Sequence, residues 1–422
     1  MHVMDGLMMD GVPLNAVADA LGTPSWVVSA PTLRRRYREL AAALSEARLD
    51  AHIHYAVKAN DHLAVLRVLG GENAGADVVS GGELLRARAA GIAPRNIVFS
   101  GVGKTVAELR LALEEGIEQI NVESAEELDM LSALAAGMGR IARIALRVNP
   151  DVDAGTHAKI STGRARDKFG IPYADAPSLY AHAASLPGIR PIGLAVHIGS
   201  QILSTAPYRA AYARIADLVR MLRQAGQSVT TVDCGGGLGI GYRCEPGGSP
   251  RALAGAIRTS LGDMGLKLMI EPGRWLAGPS GVLLASVVLE KRSGGFRFVV
   301  LDAAMNDLIR PSMYEAWHGI VPLSAVDARQ PTRLADIVGP VCETGDTFAR
   351  SRPLPPLAPG ARVAILDAGA YGSVMSSTYN ARPLAATAML DPGAGPDGFV
   401  VIRERQPVAA LWRNEIVPSW LK

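Results

Sequence analysis

The 422 residues carry 43 lysines and arginines against 40 aspartates and glutamates, a net charge of +3 with no basic run long enough to track a phosphate backbone, so nucleic acid is not an expected partner. The length exceeds one average domain and predicts either two domains or one large barrel with an addition. The three cysteines, Cys234, Cys244 and Cys342, are odd in number and lack CxxC spacing, which argues against a metal site or disulfide framework and for a reducing cytosol.

The amino terminus, MHVMDGLMMD, has neither a basic n-region nor a continuous apolar run, so no secretory signal is expected. The apolar stretches, such as 281–289, fall short of the roughly 20 residues that cross a bilayer, and a soluble cytoplasmic protein follows. Segment 26–29 is a candidate strand of a second domain. Arg34, Arg35 and Arg36 open a helical pattern that continues through Leu40 and Leu44, and read as a solvated face. From 33 to 276, eight short β-rich runs alternate with amphipathic helical patterns: 52–57, 76–79, 97–99, 120–123, 144–148, 192–197, 229–233 and 266–271. Eight such units close a (β/α)8 TIM barrel. Capping boxes are expected at Ser80/Glu83 and Ser124/Glu127, and a long helix over 208–224. The connection holding His157 and Lys168 is the longest and reads as a loop over the barrel mouth. Beyond 276, runs at 282–289, 296–301, 363–366 and 399–402 are separated by Gly- and Pro-rich turns. A mainly β domain, a sandwich or barrel, is expected from 277–422 together with 1–32.

Chemistry in such a barrel gathers where the strands end. The first run ends in YAVKAN, placing Lys58 at the rim, where partial desolvation lowers an amine's pKa and suits it to form an imine; alone, a lysine there is an ordinary surface charge. The seventh ends in DCGGGLG, whose Gly235, Gly236 and Gly237 let backbone amides approach an anion, or form a flexible turn. The eighth ends in EPGR: Glu271 can face a heterocyclic nitrogen and Arg274 clamp a phosphate or carboxylate, or the two form a structural ion pair. The sixth ends in HIGSQ, with His197 able to stack on a planar ring and Ser200 able to donate to phosphate. CETGD at Cys342 and DAGAYG at Asp367, followed by MSSTYN, pass singly for turns.

Taken in order, YAVKAN, HIGSQ, GGGLG, EPGR, CETGD and GAYG, with HAKISTG, KFGI and RPSMYEAWH, resemble the signature of the fold-type III pyridoxal-phosphate-dependent decarboxylases, and among them the diaminopimelate decarboxylase family. That resemblance implies a barrel of the alanine-racemase type and pyridoxal 5'-phosphate bound as a Schiff base on Lys58. It puts His197 against the ring, Glu271 at the pyridine nitrogen, and Ser200, Gly236, Gly237, Gly273, Arg274 and Tyr371 near the phosphate. It implies a homodimer with shared active sites, in which Cys342 of the partner subunit donates a proton and Glu343 contacts substrate. Arg274, Arg310, Tyr314, Glu343 and Tyr371 would bind meso-2,6-diaminopimelate, decarboxylated to L-lysine and carbon dioxide in the last step of lysine biosynthesis. No metal is implied. A protonated pyridinium accepts the electrons left at Cα better than a neutral ring, so a glutamate there suits decarboxylation, where the related racemases place an arginine. Thr344 departs from the family's usual serine, and the stretch after Arg382 lacks an acidic residue common there.

Overall fold

The computed structural model describes residues 6–155, 162–163, 167–243, 245–393 and 395–421. The first five residues, most of the loop beginning near His157, and Cys244 lie outside the described residues. The chain divides into two units, Leu33–Leu276 and Met1–Thr32 with Ala277–Lys422.

The first unit is a closed parallel barrel of eight strands: β1 Ala51–Ala56, β2 Gly75–Val78, β3 Ile97–Phe99, β4 Gln119–Val122, β5 Ala142–Asn149, β6 Ile189–Ala195, β7 Thr231–Asp233 and β8 Lys267–Ile270. Each pairs in parallel with the next and β8 with β1, so no edge is left. Ile97, Val98 and Phe99 are all buried, as expected of strands covered on both faces. The strands stop short of several expected ends. Val57 and Lys58 lie in a 3₁₀ turn, Val57–Ala59, and His197 lies two residues beyond β6, so these rim side chains stand on turns rather than strands.

Helix starts hold the rim in place. Ser80 Oγ accepts from Glu83 N and Ser124 Oγ from Glu127 N, as the sequence predicts. The two glutamates, however, reach back past the cap, to Val79 N (2.8 Å) and Glu123 N (3.1 Å), so each ties its helix to a strand end instead of completing a reciprocal box. The reciprocal box is at Thr105/Glu108. Helix Ala206–Gln224 buries Tyr208, Tyr212, Ile215, Val219 and Leu222, a four-three spacing that presents one face to the barrel. Its tyrosine hydroxyls donate to the carbonyls of Gly236 and Cys234, both at 3.1 Å, which fixes the glycine turn after β7.

The second unit is mainly β. Its sheet runs Thr347–Leu354, Arg333–Val338, Phe296–Leu301, Gly281–Ser293, Ser25–Ser29, Ala386–Leu390, Phe399–Arg403, with Arg362–Ile365 and Ile320–Pro322 attached to the long strand Gly281–Ser293. The segment 25–29 is indeed a strand, buried throughout between antiparallel and parallel neighbours. Along Gly281–Ser293, Leu283, Ala285 and Val287 join one apolar cluster while Val282 and Leu284 join another, so alternation supplies both faces of the sheet. No helix among the described residues is long and apolar enough to cross a membrane.

Candidate active site

Lys58 follows β1 on the rim turn, and its Nζ lies 2.9 Å from Oδ2 of Asp77 on β2. The Asp77 carboxylate has no exposed surface, and its Oδ1 is buried without a hydrogen-bond partner. An unsatisfied carboxylate oxygen beside an amine is costly in an apolar interior and marks a place prepared for another group.

Glu271, one residue past β8, is buried beside Asp233 at the end of β7. Burial, then the charges of Asp233 and Asp77 and a hydrogen bond shared with Asp233, push the Glu271 carboxyl well above the usual carboxylate range, while Lys58 opposes the shift. Burial raises Asp233 too, but donors oppose it there: Glu271, Gly235 N and Asn121. Glu271 is thus the more basic partner of the pair and Asp233 the more acidic. Glu271 Oε1 also accepts from Ser100 Oγ at 3.3 Å.

The turn after β7 makes the closest backbone approach. Gly235 and Gly237 have φ of +69° and +100°, and a Cβ on Gly236 would stand 2.1 Å from the Glu271 carbonyl oxygen. Glu271 N in turn donates to Gly235 O at 2.8 Å, so the glycine turn and the EPGR turn are locked together. Arg274 is buried there, donating to Ser200 Oγ (3.0 Å) and to Tyr242 Oη (2.8 Å), and Gly273 O caps Leu276 N. Gln201, at φ +62°, pins the Ser200 loop through both its amide atoms to the backbone of Ile240. His197 Nδ1 lies 3.0 Å from Thr162 Oγ1. Burial, with the positive charges of Arg147 and Lys58, pushes its pKa well below the usual histidine value, leaving a neutral flat ring.

Lys58, His197, Ser200, Gly236, Gly237, Glu271, Gly273 and Arg274 thus all belong to the barrel unit, and the Lys58 charge acts on both Glu271 and His197. The remaining expected residues belong to the β unit. There Cys342 is exposed, and Glu343 accepts a 2.6 Å hydrogen bond from Tyr379 Oη. Arg310, buried on the short helix Arg310–Tyr314, donates to His318 Nε2 at 2.7 Å, because His318 Nδ1 is committed to the Leu366 carbonyl. Tyr314 lies at the end of that helix, and Tyr371 adopts φ +56°. A cavity of about 560 Å³ is lined by Met305, Asn306, Ile309, Glu343, Ser377, Thr378 and Tyr379.

Asp77, Asp233, Asn121, Ser100 and Arg147 join the site without standing among the residues that the motifs single out. Arg147, buried on β5, donates to Glu123 at 2.7 Å. The available signal was polar residues recurring two apart inside otherwise apolar strands: Gln119 and Asn121, Thr231 and Asp233. In a closed barrel, alternate positions face the interior.

A family model described as "Pyridoxal-dependent decarboxylase, pyridoxal binding domain" matches residues 31–278, and the chain belongs to that family, a class of carbon–carbon lyases acting on amino acids. Within it, the chain is similar to proteins named diaminopimelate decarboxylase: 46% identical to one from Zymomonas mobilis over 98% of each chain, and 44% identical to one from Aquifex aeolicus over 95% of this chain and 93% of that one. Among solved structures, diaminopimelate decarboxylase from Helicobacter pylori complexed with L-lysine superposes with a TM-score of 0.90 at 37% identity, covering 95% of this chain and 99% of that one.

Proposed function

We propose that this protein decarboxylates meso-2,6-diaminopimelate to L-lysine and carbon dioxide with pyridoxal 5'-phosphate, the closing step of lysine formation by that route. The observation that carries it is the buried Glu271 carboxyl at the end of one barrel strand, in the same barrel that presents Lys58 2.9 Å from the buried Asp77.

The donor set fits that cofactor. Lys58 offers an amine for its aldehyde, Asp77 Oδ1 lacks a partner, Glu271 offers a proton for a ring nitrogen, and the glycine turn with Ser200 and Arg274 suits a phosphate. When bound, the cofactor supplies an electron sink for the bond that breaks at Cα. Lys58 is its attachment point, and Asp77 orients the Lys58 amine. Glu271 keeps the ring nitrogen protonated. His197, neutral and flat, would lie along the ring and exclude water from that face. Cys342, whose side chain is exposed in its own chain, delivers a proton from its Sγ to the carbon that has lost its carboxylate, acting across a homodimer in the partner's site.

A substrate with both a carboxylate and an ammonium at its far end needs both answered. Arg310 and Tyr314, with Arg274, answer the distal carboxylate; Glu343 answers the distal ammonium; Tyr371 contacts substrate and phosphate. The likeness to diaminopimelate decarboxylases supports this assignment. The cysteine content supports a cytoplasmic setting. Purified protein with cofactor, offered meso-diaminopimelate, ornithine, arginine and carboxynorspermidine in parallel, is expected to consume the first alone. Consumption of another would overturn the substrate while leaving decarboxylation intact.

A further inference from the structure

A hydrogen-bonded chain of side chains crosses the barrel interior beneath Glu271, and the proposed reaction gives it no part. Thr231 Oγ1 donates to Gln119 Oε1 (3.4 Å), and Gln119 Nε2 donates to Asn121 Oδ1 (2.7 Å). Asn121 Nδ2 donates to Asp233 Oδ2 (3.0 Å) and to Ser100 Oγ (3.1 Å). Ser100 and Asp233 each hydrogen-bond Glu271. Asn121 thus reaches Glu271 by two routes, across strands β3, β4 and β7.

The donors in this chain run one way. Gln119 Nε2 donates to its carbonyl, while Asp233 and a Ser100 hydroxyl already donating to Glu271 stand as acceptors on the other side, so the Asn121 amide has one satisfactory orientation, its N–H groups toward Asp233 and Ser100. The other Asp233 oxygen accepts from Gly235 N at 2.9 Å. N–H donors on both oxygens make Asp233 the anion of the pair. Gln119 is fully buried and Asn121 is 1% exposed, so water cannot replace a lost partner. Apolar side chains at 119 and 121 would fill the same space without that exposure to desolvation cost, so barrel packing alone does not explain an amide here.

We propose that Asn121 is a positioning residue: by holding Asp233 and Ser100 it fixes the Glu271 carboxyl and keeps its proton available to the cofactor's ring nitrogen. This rests on the cofactor reading above. The charged and titratable groups facing Glu271 are Asp233, Asp77, Lys58 and Cys234, and those facing Asp233 are Glu271, Asp77, Cys234 and Tyr212. Without the Asn121 donor, Asp233 takes up a proton more readily. The site then loses a negative charge, and the ring nitrogen gives up its proton at lower pH.

The test compares the parent holoenzyme with Asn121→Leu, recording absorbance of the bound cofactor against pH and turnover per bound cofactor. The variant is expected to lose roughly 10- to 100-fold in kcat with little change in KM, as for supporting residues behind other catalytic groups, and its absorbance transition moves to lower pH. If Asn121→Leu does not fold, Asn121→Ala decides in its place: it removes the same donors to Asp233 and Ser100 without adding bulk, and is expected to shift both quantities in the same direction. An unchanged transition and unchanged turnover per bound cofactor overturn the proposal, even where cofactor occupancy falls, since that is what a packing role gives. A parent protein that takes up no cofactor instead overturns the site reading itself, and the inference with it.

Discussion

Lys58 Nζ sits 2.9 Å from Oδ2 of Asp77, a carboxylate sealed from solvent whose Oδ1 has no hydrogen-bond partner. The anion stabilises positive charge on the lysine nitrogen, before and after that nitrogen is joined to a cofactor. Asp77→Asn therefore keeps the cofactor attached but lowers the pH at which the linkage loses its proton. A pH titration of the bound chromophore checks this, and turnover is expected to fall roughly tenfold or more.

Lys58→Ala removes the attachment point, so the borohydride-reducible chromophore and turnover disappear together. Cys342→Ala keeps the chromophore and slows product formation. Because the two residues are assigned to different subunits of one site, mixing the two inactive variants restores part of the activity, up to about a quarter of the parent for random heterodimers. Sequential affinity capture of differently tagged subunits confirms that heterodimers have formed, and their failure to regain activity counts against a shared site.

Gly236 stands where a Cβ would meet the Glu271 carbonyl oxygen at 2.1 Å, and backbone cannot yield as a side-chain tip does. Gly236→Ala displaces the EPGR turn, with a stability loss of about 1–3 kcal/mol and weaker cofactor binding. Thermal melting with and without cofactor measures both.

Glu83, at a helix start near the rim, has its pKa raised from 4.5 to about 7, chiefly by burial. A carboxyl raised in the folded state binds its proton more tightly there than in the unfolded chain. Its contribution is fully present below the unfolded pKa and is lost as pH rises through about 7. In the cofactor-free protein, urea unfolding at about pH 5 and about pH 8 should show Glu83→Gln losing less stability over that interval than the parent, by on the order of 2 kcal/mol.

The barrel was legible because its signals are local: eight β-rich runs, Ser caps before helices, and glycines where backbone must approach backbone. The residues on the two loaded turns, Gly236 and Glu271, could be named from the motifs they stand in. Asp77, Asn121 and Asp233 could not, since their meaning comes from strands far apart in sequence that meet only inside a closed barrel. Thr105-Val-Ala-Glu108 carries the same local pattern as Ser80 and Ser124, and only there is the box reciprocal, because the other two glutamates serve the strand ends. In the β unit, Ala386–Leu390 is obscured by its alanines and Arg333–Val338 by its charged residues; both are strands through pairing with neighbours, not through propensity.

Decarboxylation and racemisation differ in which bond at Cα breaks, and running the reaction in deuterated water reads that directly. Meso-diaminopimelate should yield carbon dioxide and L-lysine carrying one carbon-bound deuterium, at the carbon that lost its carboxylate. Recovery of diaminopimelate with deuterium at Cα and both carboxylates intact would contradict decarboxylation and make the protein a racemase.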